Sequence, residues 1–156
     1  MAPGEYKDRP NRAGMTFFVH PDLVRGTLRE GFRIGQSLRE GLPRAIFWMF
    51  LVAEVHPFAD GNGRVARLLM NAELTAVDQS RVMIPLPYRD DYFASLRALR
   101  YNNNATPLRR MIDRAQRWSS AIDWTDRGGV LDQLRRTNAL VTPDEAKSLN
   151  LRLLDP

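Results

Sequence analysis

An all-α fold with one small β-hairpin is what this sequence predicts, and three features carry the expectation. The run Pro43 to Val55 is apolar nearly all round (Ile46, Phe47, Trp48, Met49, Phe50, Leu51, Val52), which suits a buried central helix and not a surface one. Two later segments, Arg64 onward and Thr106 to Ile122, repeat apolar residues at three- and four-residue spacing. Strand character is confined to Thr16 to Val19, inside a Pro-, Gly- and charge-rich opening of about twenty residues.

In chain order, a first helix follows His20-Pro21-Asp22, with apolar positions at Leu23, Val24, Leu28, Phe32 and Ile34. Glycines at Gly31 and Gly41 follow a short echo, Thr-Leu-Arg-Glu and Ser-Leu-Arg-Glu, and read as helix endings. Two copies ten residues apart do not make a repeat fold. After the central helix, the helix from Arg64 carries Val65, Leu68, Leu69 and Ala72 and stops before Asp78-Gln79-Ser80. Asp90 to Tyr101 reads as a helix, and the next has Thr106 as N-cap and Pro107 at its first position. Its stripe is Leu108, Met111, Ile112, Ala115 and Ile122. Gly128-Gly129 breaks the chain, a helix starts at Val130, and the capping box Thr142-Pro143-Asp144-Glu145 predicts another.

With 156 residues and 44% hydrophobic content, the chain supports one core. Cysteine is absent, so disulfides, thiolate metal sites and cysteine nucleophiles are excluded. The longest apolar run, Ala45 to Ala53, is too short to span a bilayer, and the N-terminus lacks the apolar segment of a secretory signal, so a soluble protein is expected, cytoplasmic or delivered into another cell. The net charge is +5, yet of 23 basic residues only Lys7 and Lys147 are lysine, a bias toward Arg and not a designed polybasic stripe. Such a balance suits ATP, an acidic protein surface or nucleic acid equally, and no nucleic-acid motif accompanies it.

The chemistry concentrates in His56-Pro57-Phe58-Ala59-Asp60-Gly61-Asn62-Gly63-Arg64-Val65-Ala66-Arg67. Gly61 and Gly63 flank Asn62 just ahead of a helix, so backbone N–H groups converge on one point beside the positive helix end. Arg64 and Arg67, three residues apart, project toward the same region, a combination that suits a polyphosphate. Asp60 would repel a bare phosphate there. It fits either a turn-capping role or a divalent cation held between carboxylate and phosphate. His56, at the end of an apolar helix, is by itself more often a structural residue than a general base; its neighbourhood reverses that order. Phe58, with Pro57, anchors the loop in the core.

The run His56 to Arg67 resembles the signature of the Fic family, His-x-Phe-x-(Asp or Glu)-Gly-Asn-Gly-Arg-x-x-Arg, at every specified position. A looser resemblance extends from Gly4-Glu5-Tyr6, through a flap-like Phe17-Phe18-Val19-His20-Pro21, to a helix ending near Asp123. It implies a Fic-type helical bundle with a β-hairpin flap: a catalytic core over residues 1–123, without the family's leading helices, and a short helical extension over 124–156.

The resemblance further implies a protein adenylyltransferase that moves AMP from ATP to a Ser, Thr or Tyr hydroxyl of a target protein. His56 would be the general base, and Asp60 would hold Mg2+ or Mn2+. Gly61, Asn62, Gly63, Arg64 and Arg67 would bind the phosphates, and Tyr92 and Phe93 would lie against the nucleobase. Thr16, Phe17, Phe18 and Val19 would dock the target segment by strand addition. Arg100 stands where some relatives have Asn. Gly63 favours AMP transfer over phosphate transfer, since Doc-type relatives have lysine there. Transfer of phosphate, UMP or phosphocholine, or an inactive binding module, are the alternatives. The inhibitory pattern (Ser or Thr)-x-x-x-Glu-(Gly or Asn) is absent, because Thr27/Glu30-Gly31 and Ser37/Glu40-Gly41 are each one residue too short. An antitoxin-like partner is one place for such a restraint.

Overall fold

The computed structural model describes residues 4–154, which form two compact units, one ending at Gln79 and the other beginning at Ser80. In the first unit, β1 (Arg12–Ala13) pairs antiparallel with β2 (Thr16–Phe17), Arg12 opposite Phe17 and Ala13 opposite Thr16. Three helices follow: α1 (Pro21–Gly35), α2 (Leu42–Val55) and α3 (Asn62–Ala76). The second unit holds α4 (Arg89–Asn102), α5 (Thr106–Ala121) and α6 (Val130–Arg136), with single 3₁₀ turns at Leu86–Tyr88 and Glu145–Lys147. The all-helical class with one hairpin is as the sequence predicts.

Helix α2 is the centre of the first unit. Ala45, Trp48, Met49, Leu51, Val52 and Val55 are all buried, which its all-round apolar sequence requires. Val24 and Leu28 of α1 meet Trp48, Leu51 and Val55 in one cluster, joined by Val19, Phe47 and Leu69. Gly31 does not end α1 as expected. It lies inside the helix, and a Cβ there would overlap the Leu51 side chain, so the small residue permits close helix approach. Gly41 does mark a boundary, as the N-cap of α2 at φ 85°. Arg44 and Glu73 tie α2 to α3 through a 2.8 Å ion pair, and the Gly41 N–H donates to the same carboxylate at 3.1 Å. Burial pushes the Glu73 pKa up, but these donors outweigh it and leave the carboxyl below its usual range.

In the second unit, Trp118 and Ile122 pack with Ala139 and Leu151, flanked by Tyr88, Val130 and Leu134. Packing therefore runs through the 123/124 line at which the resemblance stops. Two local expectations are corrected. Thr106 is the first residue of α5 and not its cap; its N–H is received by the Asn104 side chain at 3.1 Å. The Thr142 capping box forms, with Thr142 N–H donating to Glu145 at 2.8 Å, but it opens only one 3₁₀ turn. The chain then extends because Leu151 is drawn into the core (2% exposed) and the Arg152 N–H donates to the Thr137 carbonyl at 2.9 Å.

Candidate active site on the loop between α2 and α3

The loop from His56 to Gly61 joins the C-terminus of the buried α2 to the N-terminus of α3. His56 is the C-cap of α2 and adopts the left-handed conformation, φ 49° and ψ 58°, which turns the chain sharply after the helix. A non-glycine residue there is conformationally costly, a feature that clusters at functional positions. Its Nδ1 lies 3.2 Å from the Ala53 carbonyl. A carbonyl only accepts, so this contact places the ring proton on Nδ1 and the basic lone pair on Nε2. The Phe18 ring stacks on the imidazole with centroids 3.7 Å apart and planes inclined by 7°.

Asn62 is 2% exposed, and both ends of its amide are engaged within the loop: Oδ1 accepts from the Phe58 N–H and Nδ2 donates to the Phe58 carbonyl, each at 2.8 Å. Its side chain therefore shapes the loop, leaving its backbone N–H for an anion. Gly61 caps α3 at φ 79°, and its carbonyl accepts from the N–H groups of Arg64 at 2.9 Å and Val65 at 3.0 Å. Among the described residues, the N–H groups of Asn62 and Gly63, in the first turn of α3, have no acceptor.

Both arginine side chains fold back over this point. Arg64 Nη2 would lie 3.6 Å from a Cβ placed on Gly61, and Arg67 Nη1 3.4 Å from one on Gly63. The site thus gathers two guanidinium groups and a helix N-terminus around glycines that leave room for a ligand. Asp60 is 86% exposed and makes a loose contact of 3.5 Å with Arg64. Among the described residues no three His, Asp or Glu side chains gather to hold a metal by themselves. A single accessible carboxylate is the donor set of a magnesium ion that takes its remaining ligands from phosphates and water.

The other predicted residues are distributed differently. Of the flap positions, Thr16 and Phe17 form β2, with Phe17 73% exposed, whereas Phe18 faces His56 and Val19 joins the core. Tyr92 and Phe93 belong to α4 in the second unit. Tyr92 is buried and Phe93 is 46% exposed, their rings 5.5 Å apart, with Arg89 over Phe93 at 5.8 Å. Sequence reasoning missed Lys7 and Asn11, which hold the backbone of the histidine loop from the N-terminal side. Only one signal pointed to Lys7: it is one of two lysines in an arginine-dominated chain.

The family described as Fic/DOC matches residues 1–74, which include this whole loop. A relative named protein adenylyltransferase Fic, from Drosophila grimshawi, is 31% identical over 115 residues, 64% of this chain and 24% of that protein. A probable protein adenylyltransferase of Aquifex aeolicus is 28% identical over 150 residues, 85% of this chain and 45% of that protein. The chain thus spans less than half the length of these relatives. Among solved structures, a Fic domain containing signaling protein from Bacteroides thetaiotaomicron is similar with a TM-score of 0.60 at 22% identity, over 72% of this chain and 51% of that one. Fic-1 from C. elegans is similar at 0.57 and 22% identity, over 85% and 38%. Helical architecture, hairpin and loop signature together define a Fic-fold domain. Over residues 1–74 the chain is similar to the Fic/DOC family.

Proposed function

We propose that this protein transfers the AMP moiety of ATP to a hydroxyl group of a target protein. The observation that carries the reading is the pairing, on one loop, of a histidine with its basic nitrogen defined and a glycine-flanked helix N-terminus under two guanidinium groups. The relatives named protein adenylyltransferase support it.

In this reading the α3 N-terminus receives phosphate oxygens through the N–H groups of Asn62 and Gly63. Arg64 and Arg67 neutralise the outer phosphates and the charge that develops on the leaving group. His56 Nε2 takes the proton of the target hydroxyl, whose oxygen forms a bond to the α-phosphorus as the bond to pyrophosphate breaks. Asp60 would hold magnesium, which when bound supplies positive charge to the phosphates. Thr16 and Phe17 would present the hairpin edge to an extended target segment, Phe17 through its exposed ring.

The test is incubation with magnesium and ATP labelled at the α- or the γ-phosphate, with and without cell lysate, beside His56→Ala. Protein label from the α position only, reduced about 100-fold or more in the variant, is the expected result. Label from the γ position only, or equal labelling by the variant, overturns the reading.

A further inference from the structure

Four consecutive carbonyls, those of Val55, His56, Pro57 and Phe58, receive hydrogen bonds from just two residues of the N-terminal segment. Lys7 donates through Nζ to Val55 at 3.2 Å and through its backbone N–H to Pro57 at 2.8 Å. Asn11 Nδ2 donates to Phe58 at 3.0 Å and to His56 at 3.4 Å. Lys7 Nζ also donates to Asn11 Oδ1 at 2.7 Å, so the two act as one unit. Lys7 is 5% exposed, and burial lowers its pKa from the usual lysine value. The carbonyls at the end of a helix have no intrahelical donor. Here the donors also fix the path of a residue held in the left-handed region.

Asn11 has a second attachment. Its own carbonyl accepts from the Phe18 N–H at 3.2 Å, closing the open end of the hairpin formed by β1 and β2. Phe18 in turn lies flat on the His56 imidazole. The residue that holds the backbone of the histidine loop and the residue that sets the plane of its ring are therefore bonded to each other at the foot of the hairpin. The Nδ1 contact with the Ala53 carbonyl and the stacked Phe18 face act together on the orientation of the ring.

We infer that Asn11 and Phe18 are positioning residues that hold His56 with Nε2 in one orientation and couple the hairpin to it, Lys7 anchoring Asn11. This rests on the reading of His56 as the base. A segment adding to the β2 edge would then bear directly on the orientation of the base, so the same hairpin both docks a target and sets the histidine.

The experiment combines ring-nitrogen NMR with kinetics on Phe18→Leu, Phe18→Tyr and Asn11→Ala. The chain has two histidines, and His20 is exposed and distinct in its partner Asp22, so both ring signals are assignable. The wild type shows neutral His56 as a single Nδ1–H tautomer, and Phe18→Leu shows a mixture of tautomers. Loss of positioning lowers kcat by about 100-fold. The KM for ATP stays within about twofold, the pattern of an interaction lost mainly at the chemical step. Phe18→Tyr, which keeps the flat ring, restores both signals. Should Asn11→Ala fail to fold, the two Phe18 variants decide. An unchanged tautomer and kcat in Phe18→Leu overturns the inference. A wild-type protein that transfers no AMP refutes the proposed reaction instead, and the tautomer measurement then decides the clamp alone.

Discussion

Replacing Asn62 by alanine isolates what the buried amide contributes to the loop. The substitution removes two 2.8 Å hydrogen bonds at a residue 2% exposed. The two losses are unequal. The Phe58 N–H is left without an acceptor, at a cost of about 1–3 kcal/mol, whereas the Phe58 carbonyl keeps Asn11 and loses about 0.5–1.5 kcal/mol. The expected destabilisation is therefore about 1.5–4.5 kcal/mol. With a urea dependence of about 2 kcal/mol per M, the unfolding midpoint of the loop's unit falls by about 1–2 M. Equilibrium unfolding in urea, followed beside binding of a non-hydrolysable ATP analogue, measures both the fold and the anion loop. A loss below about 0.5 kcal/mol, the range of ordinary surface substitutions, would refute the claim that this amide organises the loop.

Gly61→Ala places a Cβ in ordinary contact with Arg64, so its cost is conformational: at φ 79° about 1–2 kcal/mol, partly recovered by Asn, as urea unfolding of the two variants will show. His56→Ala and His56→Gly are both expected to lose transfer, but the glycine variant should be the more stable by about 1 kcal/mol because it accepts the left-handed turn, and equal thermal midpoints would contradict this. The Glu73 carboxyl titrates lower in the folded protein than its unfolded value of 4.5, so its stabilisation is complete above that pH and is lost as the pH falls through the folded value. The advantage of wild type over Glu73→Gln should accordingly be largest near neutrality and shrink below pH 4.5, read from urea midpoints across that range.

The parts legible in the sequence are those whose cause is local. A helix apolar on every side is buried wherever the chain takes it, and α2 follows from its composition alone. The loop from His56 to Arg67 was equally readable, because glycines, carboxylate and arginines are adjacent in sequence. What escaped depends on distant partners. Nothing near Asn11 announces that its amide reaches carbonyls 45 and 47 residues away. Gly31 was misread as a terminus because its reason, the Leu51 side chain, sits on another helix. Asn62 illustrates a subtler limit: its type suited an anion loop, but whether its amide faces a ligand or the backbone is decided by folding. The capping box at Thr142 formed and still failed to extend a helix, since burial of Leu151 outweighs propensity over a few residues.

The hairpin also bears on self-association. A strand whose outer edge stands open to a segment of another protein is open to a second copy of itself, the usual route to edge-to-edge assembly. Here each strand has only two paired residues, and one of the pairs begins with Arg12. So short an edge binds weakly by backbone alone. A partner must add side-chain contacts of its own, for which Phe17 is the exposed apolar group on β2, and identical chains meeting through this edge gain too little to persist as filaments.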